Sequence, residues 1–429
     1  MVAPRHPVQG QKICVLGAGM VGVCAALELQ ARGAEVTLID RREPGQETSW
    51  GNAGVLARSS LVPLNNPSLW KNLAGLIGNR SASLRYDPKF LLQNLSWLSG
   101  FLSHCTAKNL AETSAALDGL IQLSMTAHRR MISECGLEAH LSDKGWLLLY
   151  RNEAAFDRAA LARDVMDKAD VATELLSAGA LRDLEPGLNP IFARALWVRD
   201  AWSFDDPGTL VSAYARAFVQ QGGKLMRAEA RGLSEGEDGV TIQADGADAP
   251  RFDRVVMCLG PWGRRFLERC GYRVPMAYER GYHRHYQSEG AGGDNAQLSR
   301  PIHDTGGGYV LSPMGQGLRL TTGVELSTQE AAPNDRQMHQ AEAAAREAIA
   351  LGDPAEDEIW LGSRPTFPDS RPVIGALPQR RRVWVSFGHQ HIGFSTGPGS
   401  ARLLVDLMEG REPPIPAAPF RPERFLRRR

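Results

Sequence analysis

The sequence predicts an α/β protein in which a discontinuous Rossmann-like dinucleotide-binding domain is joined to a second, α+β domain with an antiparallel sheet. Three observations carry this. An apolar strand runs directly into Gly17-x-Gly19-x-x-Gly22, and a second apolar strand ends in Asp40. Strand–glycine–helix order returns near the other end, at 382–408. The middle instead holds short alternating strands separated by Gly, Ser and Pro breaks.

Each residue type in the opening unit has a mechanical role. Gly17 permits the tight turn, Gly19 lets the backbone approach a pyrophosphate, and Gly22 lets helix and strand pack closely. The helix that follows offers free N–H groups and a partial positive charge at its start. Asp40 falls at the roughly 20-residue spacing at which a carboxylate can accept from ribose hydroxyls. Strand, glycine triplet, helix, strand and acid in this order specify a dinucleotide site far better than the triplet alone.

Residues 41–60, rich in Gly, Ser and Asn, read as a loop around a ligand. Helical patterns dominate 67–135, with Leu117, Leu120, Ile121 and Met125 at core-face spacing. The very apolar stretch 90–102 reads as a buried helix, with a peripheral membrane contact as the alternative. Residues 145–150 read as a strand, 153–169 as a helix, and 206–221 as a helix with an acidic start. Residues 251–262 read as a buried strand stopping at a glycine turn, and further strands are expected at 279–287, 308–311 and 318–324. An alanine-rich helix is expected over 335–351, a strand over 382–388 and a helix over 395–408. The expected division is 1–66, 201–262 and 358–429 for the dinucleotide domain, and 67–200 with 263–357 for the substrate domain.

Composition narrows the function. Of 429 residues, 49 Lys and Arg balance 48 Asp and Glu, so no basic field suits nucleic acid. The one basic cluster is the tail 421–429, read as a solvated, partly disordered end, or alternatively as an anionic-membrane contact. Six cysteines show neither a C-x-x-C pair nor metal spacing, which fits a reducing compartment. With no apolar secretory segment at the start and no bilayer-length apolar run, a cytoplasmic location is expected, with the inner face of the cytoplasmic membrane as a variant.

Several motifs together resemble a known family. They are Gly17-Ala-Gly-Met-Val-Gly22 with Asp40, Thr48-Ser-Trp-Gly-Asn-Ala-Gly54, Val255-Val-Met-Cys-Leu-Gly-Pro-Trp262, Gly362-Ser-Arg-Pro-Thr-Phe-Pro-Asp-Ser-Arg-Pro-Val-Ile-Gly375 and Gly388-His-Gln-His-Ile-Gly-Phe-Ser-Thr-Gly-Pro-Gly399. The chain is similar to the FAD-dependent D-amino-acid oxidase/dehydrogenase superfamily, and most to its bacterial D-amino-acid dehydrogenases. The resemblance implies a non-covalent FAD touched by Gly17, Ala18, Gly19, Met20, Gly22, Asp40 and Arg41, and by Ser49, Asn52, Ala53, Gly54 and Leu56. It adds Ala230, Cys258, Gly260 and Trp262, then His391, Gly393, Phe394, Ser395 and Thr396. The last group precedes a helix whose N-terminus would face the flavin and favour its reduction.

By the same resemblance, Arg364 anchors the substrate carboxylate, for which a guanidinium fork is the matching shape. The competing reading pairs Arg364 with Asp369. Tyr282, His283, Arg284, His285 and Tyr286 alternate along a strand, so one face should line the substrate pocket, and Tyr309 is a further pocket candidate. Their bulk and polarity suggest a polar or restricted substrate. His283/His285 and His389/His391 lack an accompanying acidic cluster, so no metal is expected. The implied reaction is hydride transfer from Cα of a D-amino or cyclic imino acid to the flavin. Candidate substrates are small D-amino acids and cis-4-hydroxy-D-proline. A quinone or dye-like molecule is expected as acceptor. The alternatives are a glycine- or sarcosine-oxidase-like enzyme using O2, and a flavin-bearing subunit of a multi-chain complex.

Overall fold

A computed structural model describes residues 7–70, 78–79, 81–245, 251–288 and 298–428. The opening strand Lys12–Leu16 lies inside a six-stranded sheet. Across that sheet the order is Lys224–Arg227, Glu35–Asp40, Lys12–Leu16, Arg254–Met257, Val383–Phe387 and Val373–Ala376. All neighbours are parallel except the last pair. Both faces are covered, so the opening strand is apolar at every position after Lys12. Ile13 and Val15 pack towards helices Met20–Ala31, Pro207–Gln220, Gly393–Met408 and Ala107–Glu134. Cys14 and Leu16 face the opposite core.

Local chemistry sets the helix starts. Asp206 caps Pro207–Gln220 by accepting from Thr209 N–H at 3.0 Å, and Pro207 occupies the first turn, where its missing N–H costs nothing. Thr106 caps Ala107–Glu134 in the same way through Asn109 N–H.

The second layer is an eleven-stranded sheet centred on the long strand Ala277–Ser288. Most of its pairs are antiparallel, but Ile302–Asp304 pairs in parallel with Trp146–Tyr150, as does Val324–Leu326 with Leu84–Tyr86. Trp360–Thr366 also belongs here, paired antiparallel with residues 277–283. A dinucleotide-domain segment beginning at 358 therefore carries one strand of the other sheet.

Two sequence expectations are corrected. The apolar stretch 90–102 is not one buried helix. It is divided at Asn94 between Pro88–Gln93 and Leu95–Ser103, where the Asn94 amide donates to Phe90 O and accepts from Arg264. Phe90, Trp97 and Phe101 are buried, whereas Leu92 and Leu95 are exposed. The basic tail is not a loose end as far as residue 428. Arg424 donates to Asp369 at 2.9 Å, Phe425 stacks on Phe367, and Arg427–Arg428 pairs with Tyr272–Arg273. Among the described residues no helix is long and apolar enough to cross a membrane.

Candidate active site

A cavity of about 890 Å³ runs from the glycine turn to the face of the larger sheet. At its first end Gly17 has φ +100°, and a Cβ there would lie 2.5 Å from Cys258 O, so glycine is required twice over. Ala18 N–H and Arg42 N–H donate to the two oxygens of Asp40 at 2.6 and 2.9 Å, which fixes the carboxylate at the mouth of the turn. Met20 N–H, at the start of its helix, donates to Ser49 Oγ at 3.1 Å. The Arg41 guanidinium lies 4.5 Å from the centre of the Trp262 ring and pairs with Glu47.

Of the residues expected around a flavin dinucleotide, Gly17, Gly19, Met20, Asp40 and Arg41 line this end. Ser49, Asn52, Ala53, Ala230, Cys258, Gly260, Trp262, His391, Gly393, Phe394 and Ser395 line the same cavity, with Cys258 against Gly17 and Trp262 against Arg41. Ala18, Gly22, Gly54, Leu56 and Thr396 stand behind the wall rather than on it. Ala18 anchors Asp40, and Gly22 packs under Gly17. Gly54 N–H donates to Asn52, Leu56 is core, and the Thr396 hydroxyl donates to Ile392 O. Their part is to hold the residues that do line it.

The far end of the cavity is made by alternate residues of one strand. Trp360, Gly362 and Arg364 share a face, and all three line the cavity. The Arg364 guanidinium lies across Gly281 of the neighbouring strand, where a Cβ would come within 2.4 Å of Nη2. Among the described residues its one hydrogen bond is a long 3.5 Å contact to Gly323 O, and no carboxylate reaches ion-pair distance. Asp369, the rival partner, is occupied by Arg371 and Arg424. Buried Glu279 stands opposite Arg364 in register. Burial pushes its carboxyl up to about 7, against the pull of Arg364. His391 faces the cavity, and desolvation there, followed by the charge of Arg364, pushes its ring down to about 4, so it is neutral at neutral pH. Trp146, Val310 and Thr321 complete this end.

None of the five alternating side chains at 282–286 lines the cavity. Tyr282 and Tyr286 turn into the core beneath helix Arg336–Ala348, with Tyr309 beside them. The Tyr282 hydroxyl donates to Glu325 at 2.7 Å. Arg284 donates to the backbone of Glu356 and Asp357. His283 and His285 lie on the cavity side of the strand but behind it. His283 stacks on Trp360 at 4.6 Å, and burial pushes its ring down to about 2. His285 bridges Glu356 and Arg319. The helix packed under the sheet decides this, claiming the even-numbered face for the core. Among the described residues no three His, Cys, Asp or Glu side chains gather as a metal site. Trp360, Gly281, Thr321 and Glu279 were not singled out from sequence. A two-residue step back from Arg364 reaches Gly362 and Trp360.

Residues 12–407 match the family model described as FAD dependent oxidoreductase (DAO). The chain belongs to this family. It is 31% identical to a D-amino-acid oxidase of Bradyrhizobium diazoefficiens, over 97% of this chain and 100% of that protein. It is 27% identical to a D-amino acid dehydrogenase of Chromohalobacter salexigens, over 94% and 97%. Its fold is similar to that of L-proline dehydrogenase from P. horikoshii, with a TM-score of 0.74 at 17% identity over 97% of this chain and 98% of that one. The protein is an FAD-dependent oxidoreductase. The glycine cradle that a Cβ would fill, and the carboxylate fixed beside it, fit that cofactor.

Proposed function

We propose that the protein oxidises the Cα–N bond of a D-amino acid or cyclic imino acid and passes the electrons to a quinone or dye-like acceptor. The observation that carries this is Arg364, a recessed cation on the cavity wall with one long hydrogen bond and no ion pair among the described residues. Such a fork is a receptor for a carboxylate that arrives with the substrate. Bound FAD supplies the two-electron acceptor for the hydride leaving Cα.

The residues of the chain do the positioning. Arg364 holds the carboxylate, and Trp360 closes the pocket beside it. Fixing Cα against the cofactor in this way is a proximity effect. The start of helix Gly393–Met408 brings free N–H groups and partial positive charge to the cavity, where they stabilise negative charge gained on reduction. The Thr321 hydroxyl has no hydrogen-bond partner among the described residues and suits a ring hydroxyl. Small D-amino acids and cis-4-hydroxy-D-proline are the proposed substrates. The second rests on Thr321 rather than on the side chains of 282–286, none of which lines the cavity. FAD is expected to be held non-covalently, since Cys258 is the one cysteine on the cavity wall among the described residues and burial raises its thiol.

Exposed Trp70, Leu92 and Leu95 support a peripheral contact with the inner face of the cytoplasmic membrane. Stopped-flow reoxidation of photoreduced enzyme tests the acceptor. Faster reoxidation by a dye or quinone than by O2 is expected. Recovery in air at the rate of turnover would make the protein an oxidase, as its Bradyrhizobium relative is named.

A further inference from the structure

Helix Gly393–Met408 carries a proline in its interior, Pro398. A proline has no N–H, so the carbonyl four residues earlier, Phe394 O, loses its helical donor. That carbonyl belongs to the first turn, beside the cavity. The replacement donor comes from another helix. His128, fully buried on Ala107–Glu134, places Nε2 3.0 Å from Phe394 O. A carbonyl can only accept, so Nε2 carries the hydrogen and Nδ1 accepts from the Tyr214 hydroxyl at 3.1 Å. Burial pushes the ring down to about 4, which keeps it in this neutral form. One turn earlier on the same helix, Ser124 Oγ accepts from Gly399 N–H at 2.9 Å and donates to Leu120 O at 2.7 Å. The break made by Pro398 is thus bridged twice from Ala107–Glu134.

We propose that His128 is a positioning residue for the flavin: its Nε2–H replaces the N–H that Pro398 lacks and holds the first turn of Gly393–Met408 in the geometry that stabilises reduced FAD. This rests on the flavin placement proposed above. Loosening the turn moves its N–H groups and weakens reduced FAD more than oxidised FAD.

The test is the flavin midpoint potential of the holoenzyme, measured by anaerobic photoreduction against a reference dye, together with the affinity of the apoprotein for FAD. His128→Leu removes the donor. It should reduce the ratio of reduced to oxidised FAD affinity about tenfold, a fall of about 30 mV for a two-electron couple. His128→Gln keeps a donor near the Nε2 position and should hold the wild-type potential. Pro398→Ala restores the helical N–H, so His128→Leu/Pro398→Ala should recover the potential, and the yellow holoprotein as well if His128→Leu alone loses it. A yellow His128→Leu protein with unchanged potential overturns the inference. So does a defect that neither His128→Gln nor the added Pro398→Ala repairs. Ser395→Asp separates the two levels, because a carboxylate at the helix start lowers the potential only if that start faces the flavin. An unchanged potential in Ser395→Asp refutes the placement itself. A lowered one beside an unaffected His128→Leu refutes the role of His128 alone.

Discussion

Glu279→Gln isolates a buried carboxyl whose cost depends on pH. An exposed glutamate ionises near 4.5, but burial raises Glu279 to about 7 in the folded protein. Between these values the folded state keeps a proton that the unfolded state has released. Stability therefore falls as pH rises through this window and flattens above it. A window of about 2.5 pH units at about 1.4 kcal/mol per unit gives a loss of roughly 3–4 kcal/mol. Glutamine cannot ionise, so the variant escapes this loss. The buried histidines 128 and 389 act in the opposite sense. Burial lowers them to about 4 and 3, so their contribution is lost as pH falls below about 6.5. They are common to both proteins and cancel in the difference. Urea unfolding of holoprotein from pH 5 to 8 should show the variant gaining on the wild type by most of that amount. Parallel stability curves would refute the account of Glu279 as a buried acid opposite Arg364.

Arg364→Lys keeps the charge but loses the fork, so KM should rise roughly ten- to a hundredfold, for about 1.5–3 kcal/mol of lost charge-assisted bonding, while the protein stays yellow. Unchanged kinetics would remove Arg364 from the site. Gly281→Ala puts a methyl group where the Arg364 guanidinium lies, 2.4 Å from Nη2. It should raise KM about tenfold, equivalent to about 1.4 kcal/mol, with flavin content unaltered. Acid precipitation should release all the flavin into the supernatant, and colour retained in the pellet would show a covalent bond.

The parts of the fold legible in the sequence are those whose cause is local. The turn at Gly17, the acid at Asp40 and the Asp206 cap each act within one strand–helix unit. Arg364 was legible through its motif. The facing of 282–286 was not. A two-residue period separates Tyr282 from His283, but helix Arg336–Ala348, far along the chain, decides which of them enters the core. The same holds for Glu279, which is meaningful only because antiparallel register sets it against Arg364. The arginine tail looked like a solvated run because its partner, Asp369, lies 55 residues before Arg424. His128 likewise gains its role from a carbonyl 266 residues away.

Anaerobic bleaching of the flavin tests the central claim most directly, using D-amino and cyclic imino acids beside the corresponding amines without the carboxyl group. The proposed carboxylate receptor at Arg364 predicts rapid bleaching by at least one acid of the panel and slow or no bleaching by its decarboxylated amine. Equal bleaching by acid and amine, or bleaching by no amino or imino acid in a panel of both configurations, would contradict it.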